Sequence, residues 1–396
     1  MFYESVVPLK VYMDYASGSP VDERVLEDMK PYFSEHFGNP SSFHSYGFKA
    51  LEAIKNARMR VGGLIEALPE EIVFTSGATE ANNLALIGAA ARYKNRGSRI
   101  VISSIEHISI LNVCKELSRQ GFEIKYAPVD KDGILDLDAL TELVDDKTML
   151  VSVMTANGEI GTIQPIKKAA EIAHDKKALF HTDATVAAGK IPLDVNESDV
   201  DLMTLSSNDL YGPKGMGALY VRRGIRLKPI IIGGGQEGGM RSGTENVPGI
   251  VGMGKAAELA KVEMRSEADR LTKLRDRLIN GVLDSVPESY LNGHPIQRLP
   301  NNANIRFSYI EGESLLLSLD ELGVQLSSGS ACAAKTLEPS HVLIALGLKH
   351  EEAHGSLVFT LGKYNTGEQI DYVIQQMPGV VKRLRAVSPL TPKELM

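Results

Sequence analysis

Between about residues 70 and 230, short β-rich runs alternate with helical stretches, and no other feature constrains the fold as strongly. The runs fall at 71–75, 99–103, 122–128, 149–154, 178–182, 202–205 and 218–221. Such alternation predicts parallel strands joined by crossover helices, here a mostly parallel seven-stranded sheet in an α/β domain. Ligands in sheets of this kind bind at the carboxyl ends of strands, so the residues following each run are the first candidates for a site. A long helical stretch spans 248–286, with apolar positions at helical spacing and many Glu, Lys and Arg between them. Beyond it come a strand at 303–309, helices at 313–322 and 340–346, a Ser/Gly/Ala loop at 327–336, a strand at 356–361 and a last helix from about 366. A chain of 396 residues exceeds what one core usually holds. The expected division is a large cofactor-binding domain at 14–260 and a smaller α+β domain at 261–396 joined by 1–13.

Several residues at the predicted strand ends are chemically suggestive. Thr75-Ser76-Gly77-Ala78-Thr79-Glu80 leaves a strand and opens a helix, offering backbone N–H groups, hydroxyls and a helix dipole to an anion. It reads either as a phosphate cup or as a plain helix cap with a glycine turn. His107 follows the run ending at Ser103 and presents a flat ring that can stack on an aromatic cofactor or serve only structure. Asp183 closes an apolar run and, if buried, needs a cationic or hydrogen-bonding partner. A protonated pyridine nitrogen would suit it, keeping such a ring an electron sink. Asn157, in Thr155-Ala156-Asn157-Gly158-Glu159, suits either a turn or a hydrogen bond to a ring oxygen.

Composition narrows the partners. The formal net charge of −7 disfavours nucleic acid and anionic membranes as main partners. No apolar run is long enough to cross a bilayer and residues 1–13 carry no cleavable signal pattern, so a cytoplasmic location is expected. Cys114 and Cys332 are the only cysteines, too few for a disulfide framework or a self-contained metal cluster. Cys114 lies in a helical run and reads as a core residue.

Taken in order, these motifs resemble the fold-type I, pyridoxal-phosphate-dependent class-V aminotransferases, and within them the cysteine desulfurases of the IscS/NifS type. The resemblance covers nearly the whole chain. Tyr12-Met13-Asp14-Tyr15, Gly38-Asn39-Pro40-Ser41-Ser42, Gly212-Pro213-Lys214-Gly215, Gly233-Gly234-Gly235-Gln236-Glu237, Met240-Arg241-Ser242-Gly243-Thr244 and Ser327-Ser328-Gly329-Ser330-Ala331-Cys332 are its landmarks. It implies a homodimer with an active site at the subunit interface. It also implies phosphate contacts from Ala78, Thr79, Ser206 and the neighbouring subunit's copy of Thr244, stacking by His107, a pyridine-nitrogen partner in Asp183, and support from Asn157 and Asn208. Cys332 would accept the sulfur.

The chain departs from the family where cysteine is activated. The family has His-Lys before Gly-Pro-Lys-Gly, and that lysine bonds the cofactor; here Asn208 and Asp209 stand there. A carboxylate forms no Schiff base and relays no proton as an amine does. Lys214 matches a second lysine that the family already has. Val186 replaces a glutamine near the ring oxygen, and Val358 replaces the arginine that grips the substrate carboxylate. Losing that arginine removes roughly 1.5–3 kcal/mol of charge-assisted contact. The resemblance, with these losses, implies a desulfurase-like protein of iron–sulfur cluster assembly that holds pyridoxal phosphate non-covalently if at all. Cys332 would carry sulfur, or would ligate an iron–sulfur cluster shared with an IscU-type scaffold protein. The alternative is an active cysteine desulfurase that converts L-cysteine to L-alanine and an enzyme persulfide.

Overall fold

The computed structural model describes residues 9–329 and 339–395. Seven strands form one sheet: β1 (Ile72–Thr75), β2 (Arg99–Ser103), β3 (Glu123–Ala127), β4 (Thr148–Ser152), β5 (Leu179–Asp183), β6 (Leu202–Ser206) and β7 (Gly217–Val221). Their spatial order is β1-β7-β6-β5-β4-β2-β3. β7 runs antiparallel to both its neighbours, and the other pairings are parallel. The expected mostly parallel seven-stranded α/β sheet is therefore present. Every residue of β4, β5, β6 and β7 is buried, because helices cover both faces. Alternate side chains enter opposite cores: Val101, Val151, Phe180 and Met203 pack in one cluster, Ile100, Leu150, Leu179 and Leu202 in the other.

The first cluster includes residues of α1 (Ser45–Leu64), the second residues of α2 (Ala78–Tyr93) and α3 (Ile108–Arg119). Helix α4 (Val247–Ser285) continues unbroken for 39 residues. Its first part gives Ile250, Met253 and Ala257 to the large core, and its later part gives Leu271, Leu278 and Val282 to a separate core. That second core also takes Val11 and Met13, and with them the strand β9 (Asn302–Phe307) between β8 (Ser289–Asn292) and β10 (Ser356–Thr360). All three are antiparallel. β8 was not expected from the sequence. Its Ser-Tyr-Leu-Asn carries no apolar run, and it is a strand only because it pairs along the edge of β9.

Glycine decides one close approach. A Cβ on Gly254 of α4 would lie 2.6 Å from the Cα of Ala57 on α1, so this pair of helices meets backbone to side chain. No helix among the described residues is long and apolar enough to cross a membrane.

Candidate functional site

Five of the candidate positions gather along one edge of the large sheet because each follows the carboxyl end of a strand: Ala78 after β1, His107 after β2, Asn157 after β4, Asp183 at the end of β5 and Ser206 at the end of β6. At β1 the chain turns on Gly77, whose φ of +149° is open to glycine and whose Cβ position is empty. Gly77 caps α2 without a side-chain hydrogen bond, so the first-turn N–H groups around Ala78 and Thr79 are not covered by a cap. Thr79 is exposed. Gly217 on β7 packs against Gly77, where a Cβ would come within 2.7 Å of its backbone. The cup therefore rests on two glycines facing each other.

Around Asp183 the polar groups form a chain. Asn82 of α2 donates one N–H to Asp183 Oδ2 at 2.8 Å and another to Ser109 Oγ at 2.9 Å. The Thr185 N–H binds Asp183 Oδ1 at 2.9 Å. Because Ser109 Oγ accepts from Asn82, its proton is free to go to His107 Nδ1, 2.8 Å away, and the Ser109 N–H reaches the same nitrogen at 3.2 Å. This pattern makes Nδ1 an acceptor and leaves the proton of a neutral His107 on Nε2. The ring itself is exposed. Asn82 went unnoticed in the sequence; a polar residue inside the apolar Ala-Leu-rich α2, wholly buried, was the available signal. Glu106 was also missed. It is completely buried, with Oε1 accepting the Met154 N–H at 2.7 Å and Oε2 unpartnered among the described residues. Burial pushes its carboxyl well above the usual carboxylate range; the Met154 bond opposes the rise and Asp183 adds to it.

Asn157 builds the turn after β4. Its Oδ1 accepts the N–H groups of Glu159 and Ile160 at 2.9 and 3.0 Å, and its Nδ2 donates to the Ile105 carbonyl at 3.0 Å. The amide is thus engaged by the protein's own backbone. Nearby, Glu159 receives the Ser340 hydroxyl on Oε2 at 2.7 Å. Burial pushes the Glu159 carboxyl up to about 7, and the Ser340 bond holds it lower than burial alone would.

Asp209 is buried in a single 3₁₀ turn, Asn208–Leu210, closed by Tyr211 at φ +62°. Its Oδ1 has no partner among the described residues. Lys190 brings its ammonium to within 3.5 Å of the Asp209 carbonyl oxygen. Burial raises the Asp209 carboxyl and lowers the Lys190 amine, while the attraction between them opposes both shifts. Asn208 is turned away to accept the Ser19 N–H at 3.2 Å, and the Lys214 ammonium is held by the Ser19 carbonyl at 2.8 Å. Val186 packs beside Gly158, and Val358 is buried in β10. A cavity of about 50 Å³ beside Asp209 is lined by Lys190, Tyr211, Asn301 and Lys363 among others.

Thr244 is exposed at the end of a glycine-rich loop that two ion pairs hold to the cup. Arg58 forks onto Glu237 at 2.6 and 2.7 Å, and Glu237 also accepts the Phe74 N–H of β1. Arg241 pairs with Glu80 of α2 at 3.0 Å. Between loop and cup lies a cavity of about 190 Å³ lined by Thr75, Ser76, Arg241 and Thr244. Cys332 lies outside the described residues. Cys114 is buried in α3, and burial pushes its thiol up to about 12, in keeping with a core role.

These groups suit a ring-bearing phosphate. The buried acceptors Asn82 Oδ1 and Asp209 Oδ1 and the Thr185 hydroxyl lack partners among the described residues, and all three belong to Asp183's immediate surroundings or to position 209. The uncovered start of α2 suits a phosphate, the His107 face a ring, and Asp183 a ring nitrogen. No amine occupies position 209.

The class-V aminotransferase family matches residues 11–373. The chain is 60% identical over 379 residues to the cysteine desulfurase IscS 1 of Archaeoglobus fulgidus, covering 96% of this chain and 99% of that one. It is 51% identical to the cysteine desulfurase IscS of Methanosarcina thermophila, over 97% and 95% of the two chains. Among solved structures, a NifS-like protein matches with a TM-score of 0.89 and 38% identity, over 95% of this chain and all of the other.

Proposed function

Since this chain belongs to the class-V aminotransferase family, whose members use pyridoxal phosphate, we propose that it serves iron–sulfur assembly as a desulfurase-like protein that does not itself activate cysteine. Its relatives' names support sulfur mobilisation as the general task. The observation that carries the finer reading is Asp209. A buried carboxyl occupies the position from which an amine would have to act.

Pyridoxal phosphate, when bound, supplies an electron sink to the α-carbon of an amino acid. In this chain the start of α2 and Ser206 would hold the phosphate, His107 the ring face, and Asp183, oriented by Asn82 and Thr185, the ring nitrogen. What is lacking is a basic amine at 209 and a cation at 358 to hold a substrate carboxylate. Cys332 is then the group through which sulfur is handled. As a thiolate it donates an electron pair to iron, losing its proton to solvent, in a cluster whose other cysteine ligands come from an IscU-type scaffold. Sulfur supplied as sulfide already has the oxidation level of a bridging cluster sulfur, so this route needs no cysteine cleavage. A homodimer framework would present one such cysteine per subunit.

Anaerobic copurification with the scaffold, followed by iron and sulfide analysis, tests this. The complex should carry both elements, and Cys332→Ala should lose most of them. Equal cluster content in that variant would remove Cys332 from the ligand set.

One observation favours a second reading, an active desulfurase. Lys190 sits beside Asp209 with its amine shifted toward the neutral, nucleophilic form. That reading requires alanine to be released from cysteine.

A further inference from the structure

Residues 104–107 join β2 to α3, and each of them makes its own hydrogen bond to the surrounding structure. The Ser104 N–H binds the Ala127 carbonyl at 2.9 Å, and the Ile105 carbonyl accepts Asn157 Nδ2 at 3.0 Å. Glu106 is held twice: Oε1 accepts the Met154 N–H, and its carbonyl accepts Nε2 of His341 at 3.0 Å. His107 is held through Nδ1 by Ser109. All of these partners except His341 fall between residues 109 and 157. His341 is 235 positions from Glu106 and opens α5 (His341–Ala345).

A carbonyl oxygen only accepts, so this bond requires a proton on His341 Nε2. The Glu106 carbonyl and the His107 N–H belong to one peptide unit, which is planar and rigid. Fixing that oxygen fixes the plane from which the His107 Cα departs. With Nδ1 already tied to Ser109, this plane sets where the ring face of His107 lies. The helix that carries His341 is docked by other contacts, since Val342 and Leu343 pack with Ile105 and Met154 in one apolar cluster. Removing the imidazole N–H therefore leaves α5 in place and frees the Glu106 carbonyl.

We propose that His341 is a positioning residue for His107: by holding the Glu106 carbonyl it fixes the peptide plane that carries the ring, and so couples α5 to the cofactor face. This role deepens the function argued above and rests on it, because there His107 faces the cofactor ring. One arm of the test accordingly needs no cofactor.

That arm is backbone hydrogen exchange, followed by mass spectrometry, in the peptide spanning residues 104–110 of the full chain without pyridoxal phosphate. His341→Phe keeps a ring and loses the donor, whereas His341→Gln keeps an N–H at similar reach and loses the ring. The first should speed exchange about two- to tenfold, the scale of one hydrogen bond, and the second should stay near the wild-type rate. Peptides of the wholly buried strands β4 and β5 should not change, and they report global integrity. His341→Ala serves if His341→Phe does not fold. The second arm is a titration with pyridoxal phosphate followed by absorbance. His341→Phe should weaken binding about two- to tenfold, and should weaken it no further in a His107→Ala background, because its effect passes through that ring. Unchanged exchange in folded His341→Phe would overturn the role, as would an equal loss of affinity with and without the His107 ring. A loss shared by His341→Gln would mean that the side chain only fills space, and would overturn it too. Failure of the wild type to bind pyridoxal phosphate would remove the cofactor reading, and the exchange rates alone would then decide whether His341 holds the His107 peptide.

Discussion

His174 shows how a single side chain ties stability to pH. It lies between two carboxylates, with Nδ1 3.0 Å from Asp199 and Nε2 2.9 Å from Asp201, and Arg222 pairs with both acids. The Asp201 bond raises the imidazolium's pKa above 6.5, burial opposes this, and Asp199 adds to the rise. A folded-state pKa above the unfolded value means that the stabilisation is complete below about pH 6.5 and is lost as pH rises through the folded value. The stability gap between wild type and His174→Asn in urea unfolding should therefore shrink from pH 6 to pH 9. A constant gap would show that the imidazole is held neutral. At the same scale, legibility was uneven. Asp183 and His107 stood out as unusual residues at strand ends and Asp209 because the resembled family has a lysine there, whereas the roles of Asn82 and Ser109 are visible only once α2 and α3 pack side by side and bring their amide and hydroxyl to Asp183 and His107. Asn157 was left between turn and cofactor by its sequence, since one amide suits both tasks; the backbone bonds it makes belong to the turn.

Among elements, the crossing of α1 and α4 leaves no room for one more methyl group. Gly254→Ala places a Cβ 2.6 Å from both Cα and Cβ of Ala57, and neither atom has a flexible end that can move aside. The helices must separate, which should cost about 1–3 kcal/mol and lower the urea midpoint. An unchanged midpoint would mean the two helices are not locked at this point. The strands of the large sheet were readable because their side chains are buried on both faces and their apolar runs are continuous. β8 was not, because an edge strand with one buried residue owes its conformation to its neighbour rather than to its own composition. The ion pairs Arg58–Glu237 and Arg241–Glu80 were equally hidden, each joining residues more than 150 positions apart.

At the scale of the whole molecule, the seven-stranded sheet and the smaller antiparallel sheet each have a core, α4 contributes to both cores, and Glu159 after β4 touches Gly329 and Ser340. On the function proposed above, Asp183, His107, Ser206 and the start of α2 would hold a phosphate-bearing ring, while no amine stands at 209 and no cation at 358 to act on an amino acid. That contrast makes one measurement decisive. The wild-type protein, saturated with pyridoxal phosphate and incubated anaerobically with L-cysteine and a thiol reductant, is assayed for alanine. Alanine at the level of the protein-free control is the expected result, and alanine in excess of one equivalent per subunit would contradict the loss of cysteine activation.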